Sequence, residues 1–160
     1  MVNHPEDIIP MCLEAGADII SFHPETANNK IFRLLNQIKD AGKKCGVVLN
    51  PATPAESIAE YAHLLDKVTV MSVDPGYAGQ KFIPESLNKI RKLINMRKNN
   101  GYHYLTEIDG SCNEKTFGQI AESGVDVFIV GTSGLFSLHE DVSQAWDRMI
   151  EIFQRETVAA

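Results

Sequence analysis

Five short apolar runs punctuate the chain, at residues 18–22, 46–49, 67–73, 104–108 and 127–130. Each is rich in β-branched residues and nearly continuous rather than alternating, which is the pattern of parallel strands buried on both faces. Between the runs the spacing becomes helical. Residues 28–40 place Ile31, Leu34, Leu35 and Ile38 on one face and stop at Gly42. Near the start, Asn3 is placed to cap a helix with Pro5 in its first turn, Glu6 and Asp7 at its positive end and Gly16 just beyond its last turn. Pro10 lies inside that helix and should kink it, because proline has no N–H to donate to the preceding turn. The stretch Thr53-Pro54-Ala55-Glu56 reads as a capping box with proline at the first helical position. Residues 86–97, 113–123 and 141–155 complete the helices, with Asn113 and Asp141 as N-caps.

A helix followed by five strands alternating with helices predicts one α/β domain with a parallel sheet and right-handed crossovers. No low-complexity segment divides the 160 residues. Composition agrees with a soluble globular protein, 44% hydrophobic and 22% charged. The formal net charge of −6, without a basic run, argues against nucleic acid as a partner. Small anions are still open to it, since backbone N–H groups bind them without net charge. Cys12, Cys45 and Cys112 have no metal or redox spacing and read as reduced thiols of a cytoplasmic protein. No apolar run approaches the roughly 20 residues that span a bilayer, so a membrane partner is not expected. The first residues form no signal peptide.

Candidate chemistry collects where the apolar runs end, since ligands of parallel α/β folds bind beyond the carboxyl ends of the strands. The third run passes into Asp74-Pro75-Gly76-Tyr77-Ala78-Gly79-Gln80, the fourth into Asp109-Gly110-Ser111, and the fifth into Gly131-Thr132-Ser133-Gly134-Leu135-Phe136. Glycines let a backbone approach a phosphate closely, and its N–H groups then donate to the phosphate oxygens. One such loop is as well explained by a tight turn; three at successive strand ends point to a ligand. Asp109 is the leading catalytic candidate, because a carboxylate ending an apolar strand needs a cation, a metal or a substrate to offset its desolvation. A structural hydrogen bond or a helix cap is the competing reading. His4, His63, His103 and His139 read as solvated, and His23 as a hydrogen-bonded strand-end residue.

The stretch from Val70 through Asp74-Pro75-Gly76-Tyr77-Ala78-Gly79-Gln80 to Pro84 resembles the signature of the ribulose-phosphate 3-epimerase family. Glu107-Ile108-Asp109-Gly110-Ser111-Cys112-Asn113 and the stretch from Phe128 to Phe136 extend the likeness, as do Ser21-Phe22-His23-Pro24-Glu25 and Val48-Leu49-Asn50-Pro51. Ser111, where the ribulose-phosphate branch has a second glycine, and the Gly131-Thr132-Ser133 triplet are more similar to the D-allulose-6-phosphate 3-epimerase branch.

The resemblance implies a single (β/α)8-barrel domain, here incomplete and holding barrel strands four to eight. It implies an enzyme that epimerises C3 of a ketose phosphate: D-allulose 6-phosphate first, with D-ribulose 5-phosphate or a non-catalytic sugar-phosphate-binding fragment as alternatives. In the family, two aspartates act as acid and base across a cis-enediolate stabilised by a divalent metal (zinc, manganese, cobalt, iron or magnesium). Asp109 is implied as one acid/base and metal-ligand aspartate. Met71 is implied as a methionine lining the enediolate, although core packing would also explain it. Gly76, Tyr77, Ala78, Gly79, Gly110, Ser111, Gly131, Thr132 and Ser133 are implied to hold the substrate, the last three nearest its phosphate. The other aspartate and two metal-ligand histidines belong to the family's first three strands. The chain is therefore expected to start after them, and by itself to bind metal poorly and epimerise weakly or not at all. A homo-oligomer is compatible with this reading.

Overall fold

The computed structural model describes residues 1–158. Five parallel strands form one sheet in sequential order, β1 (Ile19–Phe22), β2 (Lys44–Leu49), β3 (Lys67–Met71), β4 (Leu105–Asp109) and β5 (Val127–Ile129). All five predicted runs are strands, each within a few residues of its expected bounds. Helix α1 (Pro5–Glu14) precedes β1, and α2 (Ile31–Asp40), α3 (Glu85–Asn100), α4 (Phe117–Ala121) and α5 (Val142–Val158) follow β1, β3, β4 and β5; only the 3-10 turns Ala55–Ile58 and Ala62–Leu64 connect β2 to β3. The sheet does not close, since β1 and β5 each pair on one side only. This architecture is that of an incomplete (β/α)8 barrel.

The register separates two rows of side chains. Ser21 lies beside Gly46, Gly46 beside Lys67, Thr69 beside Glu107, and Met71 beside Asp109. Those residues share one face. The opposite row, which includes Val47, Leu49, Val68, Val70 and Ile108, has no exposed surface and forms the core under the helices. The central strand β3 is buried on both faces, as expected. The two faces differ in chemistry: one is sealed by apolar packing, and the other carries Lys67, Thr69, Glu107 and Asp109 and borders the clefts.

Helix ends explain where sequence and structure part. Gly16 and Gly42 take positive φ (81° and 72°) just past α1 and α2, as expected. Asp141 caps α5, accepting from the Gln144 N–H at 3.0 Å. Helix α1 begins at Pro5 with His4, not Asn3, in the cap position, and it continues through Pro10. The first turn before α2 is a 3-10 turn, Asn28–Lys30. Thr53 makes no capping box: its hydroxyl donates to Glu25, 28 residues away, and only a 3-10 turn, Ala55–Ile58, follows. Asn113 is not the cap of α4, which starts at Phe117 after Thr116.

Candidate active site

The three glycine-bearing loops leave the same ends of β3, β4 and β5 and wall a cleft of about 980 Å³. All eleven candidate residues line it. Met71 and Asp109 sit at the strand ends, Gly76, Tyr77, Ala78 and Gly79 on one loop, Gly110 and Ser111 on the next, and Gly131, Thr132 and Ser133 on the last. A second cleft of about 450 Å³ adjoins it, and Met71, Asp109 and Ile129 border both.

Asp109 is half-buried at the last position of β4. Its main-chain carbonyl accepts from the Ser72 N–H at 2.8 Å and the Ser72 hydroxyl at 3.0 Å, which fixes the strand end. Burial raises its carboxyl pKa above the usual value; repulsion from Glu107 adds to this and Lys67 partly offsets it. Met71, its neighbour in register, is 3% exposed. A carboxyl raised in this way holds a proton more readily than an ordinary carboxylate.

The loops are braced from within. Gly110 has φ 123°, and a Cβ there would stand 2.8 Å from Val73 and 2.9 Å from the Ser72 hydroxyl. Both conformation and space therefore require glycine at that position. Ser111 follows at φ 50°, and its hydroxyl donates to the Gln80 carbonyl at 2.5 Å. The Gln80 amide donates in turn to the carbonyls of Asp74 and Tyr77, at 2.5 and 3.0 Å. Thr132–Phe136 forms one turn of π-helix, and Leu135 and Phe136 both direct their N–H groups to the Gly131 carbonyl. Gly131, Thr132 and Ser133 are exposed residues that line the cleft. Tyr77 is 75% exposed on its loop.

Polar residues passed over in the sequence reading occupy the floor of the adjoining cleft. The Lys67 ammonium lies 2.8 Å from Glu107 Oε1, and the Thr69 hydroxyl donates to the same oxygen at 2.7 Å. The signal was the period of two in Lys67-Val68-Thr69-Val70 and Glu107-Ile108-Asp109. His23 is 7% exposed in that cleft's wall, and neither ring nitrogen has a hydrogen-bond partner. Its Nδ1 stands 3.7 Å from Glu25 Oε2, beyond hydrogen-bond range.

Among the described residues no group of three or more His, Cys, Asp or Glu side chains could hold a metal ion. Asp109 alone offers too few donors for a divalent cation. Residues 1–158 do not assemble the metal site that the resemblance implies. Cys12, Cys45 and Cys112 are all free, and no described helix is long and apolar enough to cross a membrane.

Comparison with known proteins gives these loops their context. The ribulose-phosphate 3-epimerase family profile matches residues 1–136. A ribulose-phosphate 3-epimerase from Aquifex aeolicus is 42% identical over 144 residues, 90% of this chain and 64% of the relative. One from Buchnera aphidicola is 41% identical over 136 residues, 85% and 59% of the two chains. One from Escherichia coli K12 is 40% identical over 133 residues, 83% and 59%. The chain thus spans about three-fifths of the length of the curated relatives it matches. These names overturn the expected D-allulose-6-phosphate branch. The Ser111 hydroxyl, on which that expectation leaned, donates to the Gln80 carbonyl and so braces the loop. With a profile match over most of its length, the chain belongs to the ribulose-phosphate 3-epimerase family.

Proposed function

We propose that this protein epimerises D-ribulose 5-phosphate at C3, with Asp109 as one of the two proton-transfer groups. The observation that carries the reading is the meeting of Asp109 and the three loops in one cleft. Backbone N–H groups of Gly131, Thr132 and Ser133 would receive the phosphate. Gly76, Ala78 and Gly79 offer close backbone approach along the sugar, with Tyr77 beside them, and Gly110 and Ser111 hold the turn after Asp109. A ketose anchored by its phosphate then presents C3 to the strand ends.

The C3–H bond is acidified by the adjacent C2 carbonyl. Asp109 takes the proton, the C–H electron pair forms the C2–C3 double bond, and the carbonyl pair moves to O2, giving an enediolate. The raised pKa of Asp109 fits a group that must hold the proton before giving it back. Met71 would present an apolar, polarizable thioether beside the planar intermediate. Inversion requires return of a proton from the opposite face. The resemblance assigns that role to an aspartate, and a stabilising divalent cation to further donors, outside the five strands described.

A second reading is favoured because no metal-binding group of side chains is found among the described residues: a sugar-phosphate binder without proton transfer. Incubation with D-ribulose 5-phosphate in D2O separates the two. Loss of the C3 proton signal supports the epimerase, whereas binding with that signal intact supports the binder.

A further inference from the structure

The loop after β4 and the loop after β5 touch through their backs, away from the cleft. Gly134 is buried against the main chain of Cys112, and a Cβ on it would stand 2.0 Å from the Cys112 carbonyl oxygen. Its φ is not positive, so the need for glycine there is contact between two backbones, not conformation. The Asn113 amide bridges the same loops, donating to the Ser111 carbonyl at 3.1 Å and to the Ser133 hydroxyl at 3.3 Å. Thr116 secures the same carbonyl with its hydroxyl at 2.7 Å. Ser111 in turn is tied to Gln80 on the loop after β3. Asn113 and Gly134 border a separate small cleft of about 270 Å³ behind the loops rather than the substrate cleft.

From this geometry we infer that Asn113 and Gly134 are positioning residues: they fix the Gly131-Thr132-Ser133 backbone against the Asp109-Gly110-Ser111 turn, so that the phosphate seat and the proton-transfer carboxylate keep one spacing. The inference rests on the phosphate reading given above. Neither residue touches substrate. Each acts through the backbone of the loop it braces, and small displacements of a ligand-positioning backbone are costly.

The test is a titration of the 160-residue chain with inorganic phosphate, followed by amide proton–nitrogen NMR. In the wild type, phosphate is expected to shift the amides of Gly131, Thr132 and Ser133, and with them those of Gly110 and Ser111. Asn113→Ala, which removes one side-chain amide, is expected to weaken binding about fivefold. Gly134→Ala is expected to weaken it roughly tenfold or more. In both variants the response at Gly110 and Ser111 should be lost. Should Gly134→Ala not fold, as far-ultraviolet circular dichroism would show, Asn113→Ala carries the test alone. Variants that bind phosphate as the wild type does and keep the response at Gly110 and Ser111 overturn the inference. A wild type with no response at Gly131, Thr132 and Ser133 overturns the phosphate reading itself, and the inference with it, before any substitution is made.

Discussion

Two carboxylates in this small protein are pushed in opposite directions. Burial raises Asp109, helped by Glu107 and resisted by Lys67. Burial would raise Glu25 as well, but hydrogen bonds outweigh it and hold its carboxyl at about 2. The His23 ring, 3.7 Å away, contributes most to the lowering, followed by the Thr53 hydroxyl, the N–H of Glu25 itself and the Asn50 N–H at 3.1 Å. A raised folded pKa favours the fold while the group is protonated, and that contribution is lost as pH rises through the raised value. Asp109→Asn should therefore be more stable than the wild type at neutral pH, with no difference below the ordinary value of 3.8. The same substitution should slow C3 proton exchange at least about a hundredfold. Glu25 has the reverse sign: its contribution is present above 4.5 and lost as pH falls towards about 2. Glu25→Gln should cost about 1–3 kcal/mol at neutral pH, and the gap should narrow across that acid window. Urea melts of the three proteins at neutral and acid pH check both signs. Asp109 was legible because a carboxylate at the end of an apolar run needs an explanation. The Glu25 network was not, since Thr53 lies 28 residues away and suited a local capping role equally well.

At the scale of elements, the strands and the burial of β3 on both faces were legible from the apolar runs, and the polar make-up of one face was not. Short strands such as Lys67–Met71 and Leu105–Asp109 contain too few residues for alternation to stand out against β-branched composition. The consequence is the Lys67–Glu107 pair, whose carboxylate is nearly buried. Removing one partner strands a desolvated charge, whereas replacing both leaves an apolar contact. Glu107→Leu is expected to cost about 3 kcal/mol, and the double variant with Lys67→Met to recover most of it. Additive losses in chemical denaturation would show that the two charges do not act as a pair. Asp141→Ala should cost about 1 kcal/mol, because its carboxylate satisfies a free N–H at the start of α5. The caps expected at Thr53 and Asn113 failed for a common reason. A Ser, Thr, Asn or Asp side chain can bond to any nearby polar group, and here Glu25 takes Thr53 while Ser111 and Ser133 take Asn113.

For the whole molecule, the open sheet matters most. β1 pairs with β2 alone, and Ile19 on that edge is 46% exposed. Unpaired backbone groups beside apolar side chains invite strand pairing between copies. Sedimentation velocity across a range of concentrations should show association of the 160-residue chain, and a monodisperse monomer at all concentrations would refute this. The same open architecture gathers all the candidate residues at one end of the sheet, within reach of one small substrate. Deuterium wash-in at C3 of D-ribulose 5-phosphate, followed by proton NMR in D2O, tests that arrangement most directly. One acid/base suffices for exchange on one face even where inversion at C3 is weak or absent, so the wild-type chain should exchange the C3 proton, and Asp109→Asn should bind the sugar phosphate without exchanging it. Binding by the wild type with no exchange, or exchange that survives in Asp109→Asn, would contradict the assignment of Asp109 as the proton-transfer group.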